Sequence, residues 1–259
     1  MSQSFSFSRF GRLFSKHTAE YGGGYLLAAG VLVGGLALLL GFLAVVTPGP
    51  VLPDIQGVVF VMGLLAAGAF FASTVFAPLG DKRQATAALM LPASHGEKYL
   101  VSWLYAGPLF LAAYVGCFFL VDALVLQIEG RFGPQGELVA LFSNASHLYL
   151  SLPVYAVVSA VFLWGSVFFG KQQFVRTAFG VLVGAVALVL LNVPLMRALL
   201  GREVKSAVPF SGMSFVDGKE WFSVNLTPEQ NTWFVLVLLG GLLLLGWLGA
   251  YLRLTEKEV

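Results

Sequence analysis

The chain has 259 residues, of which 58% are hydrophobic and only 11% are charged. Soluble domains carry about 45–50% apolar and about 25% charged residues. A chain of this length could not bury so much apolar surface away from water, so an ordinary soluble enzyme and a disordered protein are both excluded. The formal net charge of +2 provides no basic surface for nucleic acid, and we expect no nucleic-acid partner.

Residues 1–24 are predicted to form an amphipathic entry helix. Aromatic residues recur at spacings of three and four, while the cations fall mostly on other faces of the helical wheel. Such a helix lies in the membrane interface with its basic side toward the lipid headgroups. Two roles are open for this helix: it serves only as an anchor, or it also contacts a partner subunit. The residues that define it are Phe7, Phe10, Phe14, Arg9, Arg12 and Lys16.

Residues 25–259 are predicted to form an all-α membrane domain with six transmembrane helices. Each apolar segment supplies the roughly 20 residues that cross a bilayer core of about 30 Å. Ten cationic residues flank one side of this arrangement and five flank the other. The richer side includes both termini, which are therefore predicted to be cytoplasmic. The six spans are expected at about 25–47, 57–79, 99–125, 148–169, 177–199 and 231–252.

The last outer loop is predicted at 200–230. Asp217 and Gly218 separate two short runs rich in aromatic residues, which is a pattern typical of a hairpin. A small β-hairpin outside the membrane and an irregular loop are equal alternatives for this loop.

Few polar residues lie within the predicted spans. Asp122 falls about 35 Å along the third span, so we expect it at the outer interface as a solvated helix end. Asn192 and Pro194 lie in the outer half of the fifth span, where a kink could line a pathway or simply serve helix packing. The string GVLVG occurs at 30–34 and at 180–184, and its glycine spacing permits close packing inside the bundle or at a dimer seam.

The segment 81–98 connects the second and third spans on the predicted cytoplasmic side. It begins with basic residues, continues with a stretch that can form a short helix, and then reaches a proline that ends it. Ser94 and Glu97 have the spacing of a capping box, so the third span should begin at about His95. The segment is either a well-capped turn or a rigid handle for a soluble motor subunit. Its candidate contact residues are Lys82, Arg83, Leu89, Leu91, Pro92, Ser94, Glu97 and Lys98.

This segment resembles the cytoplasmic loop of ABC-2-type transporter permeases, where a basic end of the second span leads to a Leu-Pro-small-Ser-x-x-Glu-Lys motif, here at 91–98. The entry helix, the six spans and the long last outer loop are also similar to that family. The resemblance implies a bacterial inner-membrane permease that forms a homodimer or heterodimer with a second permease and contacts membrane lipid. It also implies that a separate ABC-type ATP-binding subunit binds and hydrolyses ATP, so that this chain needs no cofactor.

Three classes of function are compatible with these patterns. The first is a permease that exports a hydrophobic or amphipathic substrate with the help of a separate ATPase. The second is a non-transporting membrane scaffold or accessory protein. The third, a membrane enzyme, is disfavoured because the sequence has no P-loop, no H-E-x-x-H and no G-x-S-x-G motif. We therefore expect no enzymatic activity, and no catalytic, cofactor-binding or metal-binding residues, in this chain.

The predicted orientation can be tested by cysteine labelling in a Cys117→Ser background. With both termini cytoplasmic, an impermeant thiol reagent added to intact cells should label Asp217→Cys and leave Asp81→Cys unlabelled. Both positions should react once the membrane is opened, which controls for the reactivity of each thiol. Labelling of Asp81→Cys in intact cells would overturn the orientation.

Overall fold

The structure is a computed structural model that describes residues 5–47, 49–76, 93–131, 133, 136–143, 148–201, 203–208, 212–217, 220–225 and 228–256. Its long helices are α1 (Phe7–Val46), α2 (Pro53–Thr74), α3 (His95–Glu129), α4 (Leu148–Phe168), α5 (Gln173–Leu200) and α6 (Pro228–Glu256). α3 contains a π-helical turn at Tyr105–Leu109, and α4 begins with a 3-10 turn at Leu148–Leu150. Between α5 and α6 lie the strands β1 (Glu203–Val208), β2 (Gly212–Asp217) and β3 (Glu220–Asn225).

Within the described residues, six helices are long and apolar enough to cross a membrane, which confirms the predicted number. This is the architecture of an integral membrane protein. Several helices extend beyond the predicted apolar segments, and the third runs over 95–129 instead of 99–125. The extensions are physically reasonable because a helix can continue into the membrane surface, where water and side chains satisfy its terminal backbone groups.

α1 is one continuous helix of 40 residues, about 60 Å long at 1.5 Å per residue. The predicted entry helix and first span are therefore parts of one helix, without a boundary at residues 24–25. No proline interrupts the sequence there, and the three glycines at 22–24 weaken a helix without ending it. The placement of residues 7–24 in the membrane interface stays a prediction.

Most of the predicted 200–230 loop forms a three-stranded antiparallel sheet in the order β1-β2-β3. β2 and β3 pair up to Asp217, which lies opposite Glu220, and this confirms the hairpin and excludes the irregular loop. β1 adds a strand that was not predicted and pairs antiparallel with β2. The all-α prediction was therefore wrong for this part of the chain, because its aromatic and β-branched residues favour a strand when a neighbouring strand is available.

Gln56 holds the segment 136–143 against the beginning of α2. Its side chain is fully buried. Nε2 donates to the carbonyls of Val51 and Glu137 over 2.9 and 3.0 Å, and Oε1 accepts from the Val139 N–H over 2.9 Å. A buried amide that is hydrogen-bonded at both ends is stabilising, and here it fixes the connection between α3 and α4.

Two tyrosines of the hydrophobic core lie against glycines of α2. Tyr114 of α3 and Tyr155 of α4 are buried. A Cβ atom at Gly63 would overlap the Tyr114 hydroxyl, and one at Gly68 would overlap the Tyr155 ring. The Tyr114 hydroxyl also donates to the Phe60 carbonyl over 2.9 Å. Glycine at these positions therefore allows α3 and α4 to approach α2 closely.

The π-helical turn of α3 is joined to α4 by Tyr155. Pro108 lies inside this turn and has no N–H to donate. The Phe110 N–H bonds to the Tyr105 carbonyl, one residue further back than in an α-helix, so the Ala106 carbonyl lacks its usual helical donor. The Tyr155 hydroxyl donates to that carbonyl over 2.5 Å. The local irregularity of α3 is thus stabilised by a neighbouring helix.

α5 lies at the edge of the bundle. Its buried residues are Gln173 and Thr177, both in its first two turns. Cβ atoms at the glycines of the two GVLVG strings, 30–34 in α1 and 180–184 in α5, would meet no atom within 4 Å. Within the described part of the chain, packing inside the bundle is therefore the wrong explanation for these glycines. They lie on open helix surface, which lipid or a second subunit can cover.

Replacing Gly68 by alanine should lower the free energy of unfolding by about 1–3 kcal/mol, because the added methyl group forces the Tyr155 ring out of position. Gly180→Ala is the matched control, since the same group is added to a helix position with open space. It should leave stability unchanged or raise it by up to about 1 kcal/mol. Thermal unfolding of both variants in lipid nanodiscs measures the difference, and equal midpoints would contradict the close contact.

Candidate functional site

Glu97, in the first turn of α3, joins the N-termini of two helices. Its side chain is fully buried. Oε1 accepts from the Ser6 N–H over 2.7 Å and from Arg9 Nη2 over 3.2 Å, and Oε2 accepts from the Ser94 N–H over 3.0 Å. We call Ser6, Arg9, Ser94 and Glu97 the Glu97 junction. It attaches the beginning of α1 to the beginning of α3, although Arg9 and Glu97 are 88 positions apart in the chain.

The local sequence explains both helix ends. Ser94 is the N-cap of α3, and its Oγ accepts from the Glu97 N–H over 3.1 Å. With the reciprocal bond from the Ser94 N–H to Glu97, both bonds of the predicted capping box are present, so the capping prediction and the start at His95 are confirmed. Ser6 is the N-cap of α1, and its side chain makes no capping bond. Glu97 instead accepts from the Ser6 backbone.

The junction is electrostatically favourable. A buried carboxylate is tolerated when it is paired and hydrogen-bonded, and Glu97 has an arginine and two backbone donors. It also lies at the positive ends of two helix dipoles. Both of its oxygens are occupied and the side chain has no access to solvent, so the arrangement is suited to holding two helices together rather than to reacting with a substrate.

An aromatic contact continues the association of α1 with α3. Phe14 stacks on Tyr105 with ring centroids 5.3 Å apart, and Tyr25 stacks on the same ring at 5.2 Å. The Thr18 and Tyr105 hydroxyls lie 2.6 Å apart. The aromatic face predicted for the entry helix therefore exists, and from Phe14 onward it packs on α3. The amphipathic pattern has its physical basis in a protein contact as well as in any contact with lipid.

The remaining entry-helix residues have different surroundings. Arg12 and Lys16 are exposed, as expected for the basic side. Phe7 is exposed, whereas Phe10 is partly buried with its ring 6.4 Å from that of Phe14. The guanidinium of Arg9 lies on Glu97, and its predicted contact with lipid headgroups stays a prediction.

Part of the predicted coupling segment lies outside the described residues, namely Lys82, Arg83, Leu89, Leu91 and Pro92. Ser94, Glu97 and Lys98 are described, and all three belong to the beginning of α3. The Lys98 N–H donates to the Ser94 carbonyl over 3.1 Å. The C-terminal end of the segment is therefore part of the Glu97 junction.

The predicted pathway residues Asn192 and Pro194 lie near the sheet. Asn192 Nδ2 donates to the Ala207 carbonyl over 2.9 Å, and Arg197 Nε donates to the Val204 carbonyl over 3.0 Å. Both bonds attach β1 to the end of α5. Pro194 lies inside α5 and is exposed. A role of these residues in a pathway stays a prediction.

Asp122 differs from its expected environment. It was predicted to be a solvated helix end, and it is 1% exposed in the structure. The helix continues for seven residues beyond it, to Glu129, so Asp122 lies about 10 Å inside the end of α3. The sequence contained a signal for the longer helix in Leu126 and Ile128, apolar residues that extend the helical run past the aspartate. The partnership of Arg9 with Glu97 had no such local signal.

No protein-family model, curated protein or solved structure matches this chain. Its function is therefore inferred from its own residues and their contacts.

Replacing Glu97 by glutamine should lower the free energy of unfolding by about 1–3 kcal/mol. Glutamine keeps the shape, but its NH₂ group cannot accept from an N–H, so one helix end loses its acceptor and Arg9 loses its counter-charge. Ser94→Ala, which removes only the reciprocal cap, should cost about 0.5–2 kcal/mol.

Glu20→Gln is the control for this measurement, because Glu20 is an exposed carboxylate of α1 and its loss should change stability by at most about 0.5 kcal/mol. Chemical unfolding in nanodiscs compares the three variants. If Glu97→Gln is as stable as Glu20→Gln, the junction does not hold the two helices.

Proposed function

We propose that this chain is the membrane-spanning permease subunit of an ABC transporter, of the ABC-2 type, in a bacterial cytoplasmic membrane. It exports a hydrophobic or amphipathic substrate, and a separate ABC-type subunit binds and hydrolyses ATP. The permease itself is not an enzyme. The proposal is supported by the six apolar helices, by the motif at 91–98 and by the contacts of its Ser94 and Glu97.

The Glu97 junction is the observation that carries the proposal. A soluble motor must transmit a movement of the 81–98 segment to more than one transmembrane helix. Glu97 lies near the end of this segment, belongs to the capping box of α3 and bonds to the beginning of α1. A displacement of the segment therefore moves α1 and α3 together, because a shift of one against the other would leave a buried carboxylate without its donors.

α1 and α3 run side by side in the same direction, which gives the movement a path across the membrane. Ser6 meets Glu97 at one end, Phe14 meets Tyr105 further along, and Thr47 and Glu129 border the same cavity at the other end. Helices of 40 and 35 residues, at about 1.5 Å per residue, are both longer than the thickness of the bilayer core, which is about 30 Å. The pair can thus connect the motor on one side to the outer end on the other.

A second permease subunit, identical or different, completes the proposed transporter. The open surfaces of α1 and α5, with their GVLVG strings, are suited to this contact because small residues let helices approach closely. Asn192 and Pro194 of α5 would then lie near the seam, where the substrate pathway is expected.

The test is reconstitution with a candidate ATPase, a P-loop protein without membrane spans encoded beside this chain. The wild-type permease should co-purify with it and stimulate transport-linked ATP hydrolysis. Leu89→Asp or Leu91→Asp should abolish co-purification while leaving the permease in the membrane, since a charge there opposes helix docking. Glu97→Gln should keep the ATPase bound and lose stimulation, because the movement no longer reaches α1.

Leu138→Asp is the matched control for docking, because it makes the same change at an exposed leucine near the opposite ends of the helices. It should retain the ATPase. If Leu89→Asp and Leu91→Asp still bind the ATPase and support full transport-linked hydrolysis, the segment is only a turn and the proposed coupling fails.

A further inference from the structure

A cavity of about 670 Å³ lies between the C-terminal ends of α1 and α3. Its volume falls within the roughly 300–1,000 Å³ of pockets that hold drug-sized molecules. Val45 is 86% exposed and Ile128 is 58% exposed, so the cavity opens at the side of the bundle. Among the described residues, its walls are mainly small and apolar with one acid, and they include Gly41, Ala44, Val45, Val125, Ile128 and Glu129.

Glu129 gives the cavity a negative end. Its Oε2 accepts a long hydrogen bond from the Val51 N–H, over 3.4 Å. Its Oε1 is buried and has no hydrogen-bond partner in the part of the chain that the structure describes. A carboxylate whose one hydrogen bond is long is poorly compensated, and a ligand that supplies a charged N–H to the group would reduce this cost.

Asp122 is a second acid on the same face of α3, two turns before Glu129, and it does not line the cavity. It is 1% exposed, and its Oδ2 also has no partner among the described residues. The ion pairs found in the described ranges involve neither acid. The group that complements the Glu129 carboxylate is therefore a positively charged donor.

We propose that the cavity binds a single-chain cationic amphiphile, with its primary ammonium group on the Glu129 carboxylate and its alkyl chain along the apolar walls. This inference rests on the proposed function and narrows its substrate class from amphipathic molecules to alkylammonium-like ones.

The geometry of the cavity fits such a molecule. Thr47 and Glu129 lie at the ends of their helices, where a charged group reaches the membrane surface. Gly41 lies six residues before Thr47, about 9 Å deeper along α1. The headgroup and the chain of an amphiphile thus meet a polar end and an apolar wall in the same order as in a bilayer.

The test measures protection of a cysteine at the cavity rim, Thr47→Cys, in the Cys117→Ser background and in phosphatidylcholine nanodiscs. Dodecylammonium is the probe, and a thiosulfonate reagent is the label. The labelling rate should fall to about a fifth when the probe is at about four times its dissociation constant, as one-site binding requires. Dodecyl sulfate should give no protection, and dodecyltrimethylammonium, which has no N–H, should protect less.

Glu129→Gln provides the decisive variant, because glutamine can still accept from the Val51 N–H through its carbonyl oxygen but carries no charge. It should abolish protection, whereas Glu137→Gln, at an exposed acid of the neighbouring segment, should retain it. The probe should not change the labelling rate of Leu138→Cys, which lies outside the cavity lining.

Three results would overturn the assignment: unchanged protection in Glu129→Gln, equal protection by dodecyltrimethylammonium, or protection by phosphatidylethanolamine nanodiscs without the probe. The last would make a bilayer lipid the occupant. Glu129-dependent binding in a reconstituted complex that shows no export would contradict the proposed transport function and support the proposed binding site. Export without Glu129-dependent protection would support the proposed transport function and contradict the proposed binding site.

Discussion

A single buried carboxylate determines how the first and third long helices are arranged. Glu97 accepts from the backbone of Ser6 and Ser94 and from the guanidinium of Arg9, so two helix N-termini share one acceptor. Since a buried carboxylate is stable only with its donors in place, α1 and α3 cannot slide past each other at this end without a large cost. The contacts of Phe14 and Tyr25 with Tyr105 continue this attachment along the two helices, and the cavity lies between their opposite ends.

The interior of the bundle is built around α2 and α4, which bury more of their apolar residues than α1, α5 or α6. Close approach there depends on tyrosines that lie over glycines, and on a tyrosine hydroxyl that donates to the carbonyl left free at the π-helical turn of α3. Polar contacts of this kind are effective inside a membrane protein because no water is available to replace them. By contrast, α5 is attached mainly at its two ends, by Thr177 packed on Gly165 and by Asn192 and Arg197 bonded to β1.

The molecule thus has a tightly packed part around α2 and α4, and helices such as α1 and α5 whose surfaces are open. Exposed apolar side chains on α1 and α5 need lipid or another subunit around them. The Glu97 junction connects one of these helices, α1, to the segment proposed to contact a motor. Movement of α1 with α3 would also change the cavity near Glu129, whose walls come from the same two helices. The proposed coupling and the proposed substrate site are thus parts of one mechanical unit.

The sequence by itself determined the number and approximate position of the apolar helices and the capping box of Ser94 and Glu97. It also indicated the hairpin of β2 and β3 as one of two equal alternatives. All of these depend on residues close together in the chain, where periodicity, capping and turn patterns act. The partners of Glu97 across the bundle, the burial of Asp122 and the open surroundings of the GVLVG glycines were decided by tertiary structure. Each depends on which distant segment lies alongside, and neither spacing nor composition encodes that.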